Sequence, residues 1–362
     1  MYVAVKGGEK AITAAHRLQA RQRRGDETEN ELACQQIENQ LELGVQRVMN
    51  EGGIYDPPLA ALAIKQASGD LVEAIFLLRA YRTTLPRWMA SSPPDMANIR
   101  LERRISAIYK DLPGGQLLGP TYDYTHRLLD FTLLEPHRPA PQSPPDEPGD
   151  TAEATSCPRI FAMMAREGLI VAEQDDGSEP DDITRYPISY PCSRSARLQQ
   201  LVRTDEGFLL ALGYSIQRGY GRNHPFVGEI RTGYVSLSCI PEELGFAIAI
   251  GEILLTECEM INNIKTDDTG RPHFTRGYGL VFGRAERKAM SVALVDRALR
   301  ASEYGEAIAS PAQDEEFVLS HADSVDASGF ISHLKLPHYV DFQSEMDLLR
   351  QLQRDFEEQR HE

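Results

Sequence analysis

Between residues 136 and 156 the chain carries prolines at 136, 139, 141, 144, 145 and 148, with acidic residues between them and nothing apolar enough to pack. Proline locks φ and has no N–H to donate, so this stretch is extended or disordered. It divides the chain into an N-terminal and a C-terminal part. A chain of 362 residues exceeds what one core usually serves, so two or three packed units are expected.

Before the linker the apolar spacing is helical. Leu32, Ile37, Leu41, Val45 and Val48 predict a helix over 31–50, ended by Gly52-Gly53 and Pro57-Pro58. A second helix is expected over 58–68. A third spans 70–83, capped by Asp70, with Leu71, Ile75, Leu78 and Arg82 along one face. Pro93-Pro94 breaks the chain, a fourth helix is expected over 97–110, and residues 113–120 form a breaker-rich loop. Met1 to Lys6 reads as a short strand that lacks the basic start and apolar core of a signal peptide.

From about 205 to 283 the period changes to two. Val235, Leu237 and Cys239 alternate with Tyr234, Ser236 and Ser238, and 246–255 and 279–283 are further strand candidates. A helix is expected over 284–300, with Met290, Leu294 and Ala298 on one face. Another covers 342–360, with Phe342, Met346, Leu349, Leu352 and Phe356 as its stripe, to dock on this chain's own core or on a partner. The expected class is α+β. It comprises a helical N-terminal half (1–135), the linker (136–156), a central domain with a mixed or antiparallel sheet (157–300), and a C-terminal segment with a long helix (301–362).

A formal net charge of −16 argues against nucleic-acid binding. No apolar run reaches the roughly 18 residues of a membrane span. The five cysteines are scattered and form no C-x-x-C, which fits free thiols in a reducing cytoplasm. Only seven of the 38 cations are lysine. Codon bias explains most of the arginines. The clusters Arg103-Arg104, Arg194 with Arg197, Arg218 with Arg222, and Arg284 with Arg287 stand apart, because guanidinium is the better phosphate clamp.

Arg-Gly-Tyr-Gly occurs twice, at 218–221 and 276–279, beside His224-Pro225 and Pro272-His273. Glycine allows close backbone approach, arginine offers a donor fork, and tyrosine offers a flat face. Arg218, Arg222 and Arg276 are therefore candidate phosphate ligands, and Tyr220 and Tyr278 candidate base or sugar contacts. The alternative is a pair of glycine-rich turns at strand ends.

His333 and His338 flank a proline and cannot share a regular helix face, but a turned segment lets both converge on one cation such as zinc. Only two ligands are local, so His321, Asp323, Asp341 or another chain must supply the rest. Glu257 and Glu259 fall on one face of a strand, near Glu252. They serve either as an acid and a stabiliser of a sugar cation or as solvent-facing carboxylates. Cys192 to Arg197 reads as a phosphate contact or as a helix start capped by Ser193 or Ser195. Cys192 has no histidine partner that would make it a nucleophile. Gly7-Gly8 is a tight turn or a phosphate cradle. The acidic run 175–182 lacks calcium spacing, and Asp314-Glu315-Glu316 reads as a solvated face.

Several long runs carry a resemblance. MYVAVKGGEKAITAA at 1–15, Ile64–Leu85, Leu101–Leu134 with YKDLPGGQLLGPTYDYTHRLLDFTLL, Tyr190–Gln200, Gln217–Gly228, His273–Gly283 and Glu315–Phe342 resemble the PhnI family, the I subunits of the bacterial carbon–phosphorus lyase core complex. The resemblance implies transfer of the ribose 5-triphosphate of ATP to a phosphonate, with release of adenine. It also implies purine nucleosidase activity on ATP or GTP by the I subunit alone, Mg2+ entering with the nucleotide. The implied partners are the G, H and J subunits in a two-copy core, J being an iron–sulfur enzyme, with the L subunit and an ATPase-like K subunit joining transiently. It further implies zinc at His333 and His338, shared with the J subunit. The contrasting expectation is a non-catalytic scaffold that contributes metal ligands at an inter-subunit site.

Overall fold

The computed structural model describes residues 8–135, 157–175, 177–220, 224–267 and 269–361. The expected strand at 1–6, the linker at 136–156 and Arg222 lie outside the described residues, as does the side chain of Tyr220. Met1–Asp323 and Ser324–Glu362 are two compact units.

The first unit begins with α1 (Glu9–Arg24), α2 (Cys34–Gln40), α3 (Glu42–Gly52), α4 (Pro57–Gln66) and α5 (Leu71–Arg82). The helix expected over 31–50 is two helices, parted at Leu41, where ψ is 38° and the side chain is exposed. Asp70 caps α5 by accepting from Val72 N at 2.9 Å and Glu73 N at 3.3 Å, and Asp56 caps α4 through Leu59 N at 2.9 Å. Val48, Ala60, Ile75 and Leu78 are buried among these helices.

The helix expected over 97–110 is instead a short 3-10 turn, Met96–Asn98, and strand β1 (Arg100–Ile105). β1 pairs antiparallel with β2 (Phe226–Cys239), so long-range pairing overrides the local pattern. Arg103 and Arg104 are thereby buried. Arg104 Nε donates to Glu229 Oε1 at 2.6 Å, and Arg103 meets Asp123 and Glu286. These clustered arginines are structural ion pairs.

Between β1 and β2 lie α6 (Ile160–Arg166), α7 (Arg194–Arg203) and α8 (Glu206–Ser215). Ser193 caps α7 by accepting from Ala196 N at 3.2 Å. β3 (Ile248–Thr266), β4 (Pro272–Phe282), α9 (Glu286–Leu299) and α10 (Glu315–Ser320) complete the unit. The four strands form one antiparallel sheet in the order β1-β2-β3-β4.

The two faces of the sheet differ. Ile230, Cys258, Met260 and Val281 belong to a core with α9's Ala289, Val292 and Ala293. Gly277 and Gly279 face the same helix: a Cβ on Gly277 would sit 1.9 Å from Ala293 O, and one on Gly279 2.1 Å from Ala289 O. These glycines of the second Arg-Gly-Tyr-Gly therefore admit the backbone of α9, not a ligand. The other face carries Glu257, Glu259 and Ile261, the last packed with Phe161 of α6.

The second unit holds α11 (Ser324–His333) and α12 (Tyr339–His361). Within it Phe342, Leu349, Leu352 and Phe356 are exposed. Among the described residues no helix is long and apolar enough to cross a membrane.

Candidate active site

Glu257 and Glu259 are buried, not solvent-facing, at 1% and 4% exposure. Arg159, just before α6, donates from Nη2 to Glu257 at 2.5 Å and to Glu259 at 2.6 Å. Glu257 also takes Arg231 Nε at 3.0 Å and the Tyr278 hydroxyl at 2.9 Å, so both its oxygens are bonded. Glu259 differs, because its Oε2 is buried and has no hydrogen-bond partner. Loss of hydration penalises the charged form. Burial outweighs the opposing Arg159 guanidinium and pushes Glu259 up to about 7. A carboxyl in that range can hold a proton near neutral pH and deliver it to a leaving group. Burial, then Glu257, raises the Tyr278 phenol, which stays protonated.

Two residues along β4 from Tyr278, Arg276 begins a second group. Its Nη2 lies 2.8 Å from Glu173 Oε2, and Arg194 Nη1 lies 2.7 Å from the same oxygen. Arg194 also grips the buried Asp296 with Nε at 3.1 Å and Nη2 at 2.9 Å. Asp296 in turn accepts from Tyr278 N on the open edge of β4 at 2.9 Å. Burial would raise the Glu173 carboxyl, but Arg194, Arg276 and Arg300 outweigh it and hold the carboxyl below its ordinary range.

Both groups open on one cavity of about 490 Å³, lined among others by Arg159, Phe161, Glu173, Arg194, Glu259, Arg276 and Tyr278. Same-face residues two apart on a strand are about 7 Å apart, so an acid end and a guanidinium end lie within reach of one sugar phosphate.

His333 ends α11, and His338 precedes α12. Their Nε2 atoms are 2.9 Å apart and their rings are perpendicular, at 89°. His338 Nδ1 lies 2.6 Å from Leu336 O. Donation there leaves Nε2 as the lone-pair nitrogen, the arrangement a metal-binding imidazole uses. The pair fits two positions of a zinc site. Among the described residues no group of three His, Cys, Asp or Glu could hold a metal, so further ligands would come from outside this set.

The family model described as Bacterial phosphonate metabolism protein (PhnI) matches residues 1–356. The chain belongs to the PhnI family. It is 66% identical over 361 residues, all of both chains, to the alpha-D-ribose 1-methylphosphonate 5-triphosphate synthase subunit PhnI of Escherichia coli (strain K12). It is 56% identical over 360 residues to the subunit of the same name from Rhizobium meliloti (strain 1021), covering 98% of this chain and 95% of that one.

In this PhnI-family chain the structure brings Arg276 and Tyr278 into the cavity and leaves Arg218 exposed on a π-helical turn, Ile216–Tyr220. Phe226, at the start of β2, is level with Arg276, since Phe226 pairs with Ile261 and Ile261 with Arg276. Cys192 is no nucleophile: burial and Glu315, whose Oε1 is 2.9 Å from Sγ, push its thiol up to about 12. Glu315 is accordingly a bonded residue and not part of a solvated face. Glu252 is the solvent-facing carboxylate, 3.1 Å from Arg100. Sequence reasoning misses Arg159, Glu173, Asp296 and Arg300. None sits in a local motif, and they meet only through contacts between distant segments.

Proposed function

We propose that this chain is the PhnI subunit of an alpha-D-ribose 1-methylphosphonate 5-triphosphate synthase and that the cavity beside β4 is its nucleotide site. The comparisons support the first part. The second rests on one observation: a buried carboxyl poised near neutral pH, Glu259, shares a cavity with Arg194 and Arg276. On this reading Arg276 and Arg194 hold the triphosphate of Mg2+-bound ATP, and Arg218 and Arg222 are proposed as further phosphate ligands. Tyr278 meets the sugar or base, and the same role is proposed for Tyr220. The C1′–N9 bond breaks through an oxocarbenium-like state, and its electron pair goes to adenine. Glu259 protonates the departing base. A phosphonate oxygen bonds to C1′, and the proton it releases restores Glu259. The same cavity would serve GTP, and water in place of the phosphonate gives nucleosidase activity.

His333 and His338 would hold zinc together with a neighbouring J subunit, the metal supplying Lewis acidity there when bound. Partners are the G, H and J subunits in a two-copy core, with L and the ATPase-like K subunit joining transiently. Five free cysteines suit a reducing cytoplasm.

A second reading, a scaffold whose chemistry resides in another chain, draws on Leu128, Leu129, Phe131 and Leu134, each more than 70% exposed. Such apolar exposure is typical of partner surfaces. The purified chain, alone and with its partner subunits, is incubated with ATP and Mg2+ and adenine is followed by chromatography. Release that disappears in Glu259→Gln supports the first reading. Intact ATP binding without release, or release that Glu259→Gln leaves unchanged, sinks the assigned site.

A further inference from the structure

Glu173 is the meeting point of three guanidiniums. Its Oε2 is 2.7 Å from Arg194 and 2.8 Å from Arg276, and its Oε1 is 2.9 Å from Arg300. The three guanidiniums come from α7, β4 and the residue after α9, so the tertiary fold alone gathers them around one carboxylate. Three converging guanidiniums match a tetrahedral oxyanion of phosphorus better than a planar carboxylate with one charge.

The four partners are unequally held. Arg194 stays fixed by the buried Asp296 and Arg300 by Glu303, its Nε at 2.7 Å. Arg276 rests over the Phe161 ring at 5.4 Å. All three arginine side chains are at most 24% exposed, whereas that of Glu173 is 41% exposed. Glu173 lies on 171–175, which has no regular structure, just after Ile170 is anchored by its bridge to Phe274. As the most exposed of the four, carried on a segment without regular structure, it is the partner that an incoming anion would displace while the arginines stay in place.

We propose that Arg194, Arg276 and Arg300 form an anion subsite for the triphosphate end of a nucleotide and that Glu173 is a displaceable carboxylate latch occupying it until the ligand arrives. This rests on the nucleotide reading of the cavity. The latch makes the subsite selective: a ligand must outcompete an internal anion, which a single phosphate does poorly and a triphosphate does well.

The test is calorimetric titration of the full chain with inorganic triphosphate and, separately, with methylphosphonate, without nucleotide. Glu173→Gln should bind triphosphate about tenfold tighter than the parent, since it removes the competing charge. Glu173→Asp, with a shorter reach, should lie between and provides a second variant should Glu173→Gln unfold. Adding Arg276→Met to either should abolish the gain. Equal triphosphate affinity in parent and Glu173 variants overturns the latch, as does a gain that survives Arg276→Met or one confined to methylphosphonate. Adenine release is followed in parallel to separate the two readings. Tighter triphosphate without release leaves the latch and removes the catalytic assignment; release with unchanged triphosphate affinity removes the latch alone.

Discussion

Tyr278 donates its hydroxyl to Glu257 at 2.9 Å, from the strand beside the one that carries Glu257. The same oxygen takes Arg159 at 2.5 Å. One strand-to-strand contact thus completes the bonding of a buried carboxylate and leaves the next carboxyl on that face, Glu259, with an oxygen unmatched.

Tyr278→Phe keeps the ring and removes the donor. A hydrogen bond to a charged group contributes about 1.5–3 kcal/mol, and urea unfolding should show a loss of that size. An unchanged midpoint would mean the phenol contributes nothing to holding Glu257.

Stability should fall with rising pH through Glu259. Its carboxyl moves from an ordinary 4.5 in the unfolded chain to about 7 in the fold. Between those values the folded state keeps a proton that the unfolded state has lost, so the contribution is present below about 4.5 and is gone above about 7. The span is at most about 3 kcal/mol. Glu259→Gln should flatten that part of the profile when unfolding is measured from pH 5 to pH 8. Under the proposed reaction, adenine release by the parent falls above about pH 7, and the variant is slower by about 10²–10⁴-fold.

Gly277→Ala places a methyl 1.9 Å from Ala293 O. Overpacking of this kind costs about 1–3 kcal/mol or more. A melting curve should show a marked drop. Gly329→Ala in α11, with nothing within 4 Å, is the control and should be neutral or stabilising.

Zinc should track the histidine pair. Native mass spectrometry of the assembled complex should find the metal with the parent chain and lose it in His333→Ala and in His338→Ala. Full retention in both variants would place the zinc elsewhere.

Period-two alternation marks β2 and places Glu257 and Glu259 on one face, and the same spacing puts Arg276 and Tyr278 together. It cannot say whether that face meets water, because burial depends on α6 and Arg159, about a hundred residues away in sequence. Gly277 and Gly279 of the second Arg-Gly-Tyr-Gly are visible as positions needing space. What fills the space is α9, a packing relation with no local signature. β1 reads locally as helix for a related reason: its register with β2 crosses more than 120 residues.

The sequence by itself determined the α+β class, the Asp70 cap and the family, and it offered Ser193 or Ser195 as the α7 cap and a turned segment in which His333 and His338 can converge. These depend on neighbours in the chain, where periodicity and short-range hydrogen bonds act. The tertiary structure decided that Glu259 is buried with an unbonded oxygen, that Gly277 and Gly279 seat a helix, and that Glu173 stands among Arg194, Arg276 and Arg300. Desolvation and charge pairing arise between segments remote in sequence, and only the folded chain brings those segments together.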